Sequence, residues 1–382
     1  MIYRHDMDHL LKRFIAELFF LKRKLILNRK ISRISKGVLN PGSVHSGATA
    51  KKHIDLWKRI GSRPNLKWIQ VYTSVSGRED YRYITETDFY NRVEPILNNR
   101  SFSDAYADKN SYHRFIESKL LSGIYLRNIE GIYTDQQYNV IQENFEIEKI
   151  IPASVGKLIT KAAVESGGGR GVELFQREGE HWINSRGDLL TLLYLETLYG
   201  KNFLLQEYID QSEHYSKFNN SSVNTIRLLT YRSVKTGKII PLQSVLRIGA
   251  PGSIVDNQAS GGTACSISPE GRLNEFGVNK HGKRIFSAGG IEFRAAGALY
   301  GFDQVINVGL AVAEKYFYQR LIGFDLCIDR TGQVKVIEIN NRNNEINFFQ
   351  MAGGPLFREY TDEVVEYCKS RPRSFLIDYE IR

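Results

Sequence analysis

The stretch GFDLCIDRTGQVKVIEINNRN, residues 323–343, restricts this chain more than any other part. Two apolar runs, 323–328 and 333–340, flank Asp329-Arg330-Thr331-Gly332, a turn-forming tetrad, so the segment reads as a β-hairpin. A strand turns successive side chains to opposite faces, which puts Glu338 and Asn340 on one face. Asp325, on the preceding strand, can reach that face. Two carboxylates and an amide oxygen make a hard-oxygen set suited to Mg²⁺ shared with nucleotide phosphates, and no His or Cys pair stands nearby to favour zinc. A solvated strand face would show the same alternation of polar positions, so the rest of the chain has to decide between the two readings.

Upstream, residues 223–234 and 238–248 alternate like paired strands joined at Thr236-Gly237, and 304–321 has helical periodicity. Residues 157–163 and 171–175 flank the cluster Gly167-Gly168-Gly169-Arg170-Gly171, a hairpin with a flexible tip. Lys161 stands just before that tip, where an ammonium can meet a phosphate while backbone N–H groups cover the others. A plain hairpin turn is the commoner role of such glycines, and neither a Walker pattern nor a GxGxxG opening a helix is present. Residues 189–198 read as a helix, 203–209 as a strand, 68–74 as a strand and 111–121 as a helix. His181, His214 and His281 are isolated, without metal-ligand spacing.

A chain of 382 residues, 42% apolar and 25% charged, can build two or three compact units and is not of disordered composition. Its net charge of +10 is local, because residues 1–63 carry 15 Lys+Arg against 4 Asp+Glu. Met7, Leu11, Phe14, Leu18, Leu21 and Leu25 form one helical stripe bordered by Lys12, Arg13, Lys22, Arg23 and Lys24. Such a helix either lies on the inner face of a membrane, through residues 7–36, or against a membrane-bound partner, or packs on its own domain, the commoner fate of an amphipathic face. No apolar run reaches the ~20 residues needed to span a bilayer. With Cys265, Cys327 and Cys368 unpaired in spacing, the expectation is a cytoplasmic protein, peripheral at the membrane if the helix docks there, with no nucleic-acid partner.

In order, Lys161, the glycine loop, the strand end Gln206-Glu207-Tyr208-Ile209, Arg227 in SSVNTIRLLT, and the Asp-x12-Glu-x-Asn interval of Asp325, Glu338 and Asn340 resemble the ATP-grasp superfamily. The segment SSVNTIR, with Arg247-Ile248-Gly249, Val255-Asp256-Asn257 and Gly261-Gly262, resembles more narrowly its sugar-transfer associated branch, over roughly residues 90–370. The resemblance implies an α+β fold in which two α+β lobes clasp ATP. The basic, largely helical segment 1–63 and an α/β lead-in 64–150 would precede a small lobe at 151–209 and a large lobe with the metal site at 210–382.

On single residues, the resemblance implies that Lys109 and Lys161 reach ATP phosphates and that Gly168, Gly169 and Gly171 cover them. Glu207, Tyr208 and Ile209 would form the hinge that reads adenine, and Glu213 would hold the ribose. Asp325, Glu338 and Asn340 would bind Mg²⁺, as two ions, while Arg227 and Arg342 would serve the transferring phosphoryl group. In related ligases an arginine often stands two positions before the metal aspartate, where this chain has Gly323. Asp256-Asn257 and Gly261-Gly262 would lie near the acceptor. The implied reaction joins a small-molecule carboxylate and an amine, from a sugar or an amino acid, through an acyl phosphate in cell-surface polysaccharide synthesis. A kinase acting on a sugar hydroxyl and a non-catalytic basic membrane- or nucleic-acid-binding protein are the rival readings.

Overall fold

In the computed structural model, which describes residues 2–39, 46–142, 145–164, 171–256 and 258–374, the strand TIRLLTYR, β7 (Thr225–Arg232), is buried almost from end to end. A strand covered on both faces is apolar at consecutive positions. Leu228 packs with the helix Phe302–Glu314 on one side, while Leu229 and Tyr231 pack on the other with α3 (Lys67–Ser76) and the helix Asn347–Gly353. The sheet built around β7 is therefore the middle of three layers. Its order is β11-β10-β9-β8-β7-β14-β15 and its pairs are antiparallel. The other members are β8 (Ile239–Ile248), β9 (Thr263–Ile267), β10 (Leu273–Val278), β11 (Arg284–Ile285), β14 (Leu321–Ile328) and β15 (Val334–Asn340), while β12 (Ser287–Ala288) and β13 (Ile291–Glu292) pair with each other apart from it.

A second antiparallel sheet, ordered β2-β1-β6-β3-β4-β5, contains β1 (Ile124–Ile129), β2 (Ile132–Thr134), β3 (Lys157–Ala162), β4 (Glu173–Glu178), β5 (His181–Asn184) and β6 (Phe203–Glu207). The helix Leu192–Tyr199 contributes Leu195 to its core. Because β1 pairs with β6, this lobe draws on residues well before 151, inside the stretch read as a lead-in. The hairpins expected at 157–175, 223–248 and 323–340 are all present. The tip of the first, including Gly168 and Gly169, lies outside the described residues.

Three local expectations are corrected. Residues 68–74 are helical, within α3, because Trp68, Ile69, Val71, Tyr72 and Val75 recur at the helical period and are all buried; tertiary packing overrides their strand propensity. Gly77, at φ +72°, ends that helix in the left-handed conformation. Residues 111–121 do not form one helix: a single turn, Tyr112–Phe115, lies between two short 3₁₀ turns. The helix expected to run to 321 stops at Glu314.

The N-terminal helix, α1 (Ile2–Val38), exists, but the stripe read from its sequence does not pack inward. Phe20, Leu27, Ile31 and Ile34 are its buried apolar residues among those described, whereas Leu11, Phe14, Leu18, Leu21 and Leu25 are 57%, 60%, 50%, 53% and 54% exposed. The side chain of Met7 lies outside the described residues. Burial of the second half of α1 is secured by Lys30, which reaches the fully buried Glu86 at 2.8 Å. Among the described residues no helix is long and apolar enough to cross a membrane.

Candidate active site

Between the two sheets lies a cleft of about 860 Å³, lined from the small lobe by Ile159, Lys161, Leu174, Gln206, Tyr208 and Ile209. From the other side it is lined by Arg227, Arg247, Asp325, Glu338 and Asn340. The register explains this convergence. Asp325 pairs directly with Glu338 on β15 and with Arg227 on β7, so the three side chains form a row on one face of three adjacent strands. Asn340 pairs with Gly323 in the next same-face row. The pairing shifts just past Asp325, where β15 carries an extra residue between the partners of Asp325 and Leu326, a bulge of the kind that re-aims side chains.

Asp325 is 3% exposed and spanned by two guanidinium groups. Arg227 donates from Nε to Oδ1 and, at 2.7 Å, from Nη2 to Oδ2; Arg247 Nη1 donates to Oδ2 at 3.0 Å. Arg247 also pairs with Asp256 at 3.2 Å, and Asp256 accepts from the Thr225 backbone at 3.2 Å and from the Thr225 hydroxyl. Burial pushes the Asp325 carboxyl upward, but Arg227 and Arg247 outweigh it and hold it at about 2. Burial also works against the Arg247 charge, and Asp256 with Asp325 more than restore it. The side chain expected to serve chiefly as a metal ligand is thus also the anchor of two buried arginines. Bound carboxylate oxygens retain further lone pairs, so the two roles are compatible.

Gly323 makes room for this arrangement. A Cβ there would lie 2.6 Å from Asn344 Oδ1 and 3.4 Å from Arg227 Cδ. With glycine two positions before Asp325, the cations beside that carboxylate come from Arg227 on β7 and Arg247 on β8. Downstream of β15, buried Glu94 accepts from the backbone of Asn343 and Asn344, each at 2.9 Å, and fixes the loop carrying Arg342, which pairs with Asp104 at 2.6 Å.

On the opposite wall Lys161, only 8% exposed, points from β3 into the cleft, and no carboxylate among the described residues pairs with it. Burial, then the nearby Lys109 charge, lowers its pKa to about 7, with Glu338 pulling the other way. Lys109, set by a 3₁₀ turn capped by Asp108, pairs with Glu338 at 2.8 Å. Asn340 Nδ2 is buried with no hydrogen-bond partner among the described residues, a polar end available to a ligand in the cleft.

Lys109, Lys161, Tyr208, Ile209, Arg227, Asp325, Glu338, Asn340 and Arg342 therefore come to one cleft. Glu207 and Glu213 do not line it: Glu207 is exposed and accepts from the Gly123 backbone at 3.2 Å, and Glu213 is exposed in the first turn of Glu213–Ser216. Gly171, at φ +72°, lies at the start of the chain entering β4, and its carbonyl accepts from Tyr199 at 2.7 Å. Asn257 and the loop residues Gly168 and Gly169 fall outside the described residues. Sequence reasoning gave Arg247 no role of its own, although a charged residue in the apolar strand SVLRI signals a buried partner.

The donor set suits a hard cation held jointly with phosphates. Among the described residues no three His, Cys, Asp or Glu converge, as an all-protein cage would require, but Mg²⁺ usually takes only one or two carboxylates beside phosphates and water.

A family model described as sugar-transfer associated ATP-grasp matches residues 89–366. No curated protein matches. Among solved structures, the chain is similar to the biotin carboxylase domain of Hydrogenobacter thermophilus 2-oxoglutarate carboxylase in complex with MgADP, ADP and bicarbonate. There the identity is 15%, over 70% of this chain and 46% of that one, with a TM-score of 0.39. It is similar also to N5-carboxyaminoimidazole ribonucleotide synthetase from Thermotoga maritima, at 13% identity over 63% and 43%, TM-score 0.33. A third is the ATP-grasp ligase PsnB in complex with a precursor variant, Mg and ADP, at 13% identity over 71% and 61%, TM-score 0.37. The chain spans about half the length of the first of these structures.

Proposed function

Since the chain belongs to the sugar-transfer associated ATP-grasp family and is an ATP-grasp enzyme, we propose that it is an ATP- and Mg²⁺-dependent ligase that joins a carboxylate to an amine through an acyl phosphate. The observation that carries this reading is the row Arg227–Asp325–Glu338, with Asn340 beside it, facing across one cleft Lys161, with which no carboxylate among the described residues pairs. Glu338 and Asn340, with Asp325 behind them, are the residues that would hold Mg²⁺, whose chemistry is to neutralise phosphate charge.

In this reading Lys161 and Lys109 bind the nucleotide phosphates, and the backbone around Tyr208 and Ile209 meets the adenine edge. Phosphoryl transfer asks for positioning and charge more than for covalent help, and the cationic wall of Arg227, Arg247 and Arg342 supplies both. A carboxylate oxygen attacks the γ-phosphorus and ADP leaves. The amine then attacks the acyl carbon, phosphate departs and the nitrogen loses a proton. Closure of the lobes would keep water from the acyl phosphate between the two steps. The family description names sugar transfer, and in our reading the setting is cell-surface polysaccharide synthesis, with a uronic acid, amino sugar or amino acid as substrate. A cytoplasmic location fits an enzyme that consumes ATP.

The test is incubation of the full chain with Mg-ATP, pooled uronic and amino acids, and hydroxylamine. The expected result is ADP together with a hydroxamate, which forms from an acyl phosphate. ADP and a phosphorylated sugar without hydroxamate would replace the ligase with a kinase. No substrate-dependent ADP under any pool would overturn the reading.

A further inference from the structure

We propose that the exposed first half of α1 is a docking face for an anionic lipid bilayer. The stripe of Leu11, Phe14, Leu18, Leu21 and Leu25 stands in solvent although the same helix buries Phe20, Leu27, Ile31 and Ile34 in the protein. Five large apolar side chains, each at least half exposed, on about four turns of one helix are more than a soluble surface ordinarily shows. The helix has two apolar faces, one used and, among the described residues, one free.

The charges bordering the free face say what covers it. Lys12, Arg13, Lys22 and Lys24 are all exposed, while Glu17, the carboxylate of this helix among the described side chains, is already paired with Arg373. Arg23 is turned inward, donating to the Tyr90 carbonyl at 3.2 Å. A second copy of this helix laid on the first would bring like cations together across an apolar seam, which is unfavourable. A bilayer surface rich in anionic headgroups accepts both the apolar stripe and its cationic border, the arrangement of an interfacial helix.

A polar notch continues the face inward. It has a volume of about 210 Å³, includes Phe20 and Leu21, and is lined by Lys24, Arg63, Arg92 and Arg373 against Glu17 and Asp88. Four cations outnumber two carboxylates there, and the hydroxyl of Thr87, which also lines it, is buried without a hydrogen-bond partner among the described residues. A phosphate headgroup has the size and charge for this notch. The inference is independent of the reaction in the cleft.

The experiment is co-sedimentation of the full chain with vesicles of phosphatidylcholine alone and of phosphatidylcholine mixed with phosphatidylglycerol. Binding to the mixed vesicles alone is expected, weakening as salt is raised. Phe14→Ser combined with Leu18→Ser should weaken it at least about tenfold, since each loses most of a buried apolar side chain. Lys12→Gln and Lys22→Gln should each cost about fivefold. These residues are exposed and remote in sequence from the cleft, so melting temperature and ATP turnover should not change. No vesicle binding, or binding that the Ser variant leaves intact, would overturn the proposal. So would a concentration-dependent dimer in sedimentation velocity that the Ser variant abolishes, which would assign the face to a second copy.

Discussion

Replacing Asp325 with Asn separates the two roles that meet on this carboxylate. Arg227 and Arg247 are 7% and 9% exposed, and Asp325 is the carboxylate they share. Removing one partner of a buried ion pair costs about 3–5 kcal/mol, because the remaining charge is left in a poorly solvating site. Arg247 keeps Asp256 and the new amide still accepts one hydrogen bond, which places the expected loss at the lower end, about 3 kcal/mol. The acid side agrees in scale. A carboxyl held at about 2 against an ordinary 3.8 corresponds to roughly 2 kcal/mol of folded-state preference. Because the folded pKa is the lower one, that stabilisation is complete above the ordinary value and lost as pH falls through about 2. For a cooperative unit the size of the larger lobe, the loss at neutral pH is a fall in Tm of roughly 6–12 °C. The assay is thermal unfolding followed by circular dichroism, with Glu338→Gln as comparator. Glu338 is 30% exposed and its pair with Lys109 opens to the cleft, where a Gln side chain still accepts from the ammonium, so its replacement should cost about 1 kcal/mol, a fall in Tm of roughly 2–4 °C, while turnover falls by orders of magnitude. An Asp325→Asn protein that melts with the wild type would refute the anchoring role.

Nucleotide binding near pH 8 should take up close to one proton, because Lys161, at about 7 when the cleft holds no anion, is driven to its charged form by a phosphate. Calorimetric titration of ATP in buffers of different ionisation enthalpy measures this, and an enthalpy independent of buffer would contradict it; Lys161→Met should abolish the uptake. In the free protein the same depressed pKa makes stability rise with pH from about 7 towards the ordinary lysine value, since the unfolded chain holds the proton longer. Gly323→Ala, whose new Cβ meets Asn344 Oδ1 at 2.6 Å, should destabilise by about 1–3 kcal/mol and displace Arg227, seen as a lower urea midpoint with an unchanged slope.

The sequence alone determined the hairpins at 157–175, 223–248 and 323–340 and the placing of Glu338 and Asn340 on one face, because strand periodicity and turn residues are local properties that neighbours in the chain decide. It also determined that α1 is a helix and that its first half carries an apolar stripe with a cationic border. Only the tertiary structure decided which face of α1 is covered. Two apolar faces on one helix satisfy the same periodicity, and burial goes to the face whose shape and anchors, such as Lys30 on Glu86, find a partner. Likewise 68–74 became helical because a helix, and not a strand, brings Trp68, Tyr72 and Val75 to the core together. The pairing of Asp325 with Arg227, 98 positions away, and with Arg247, 78 away, was settled by register across three strands. Long-range pairing of this kind has no trace in local spacing, because the energy that selects it, two buried charges demanding a third, exists only once water has been excluded.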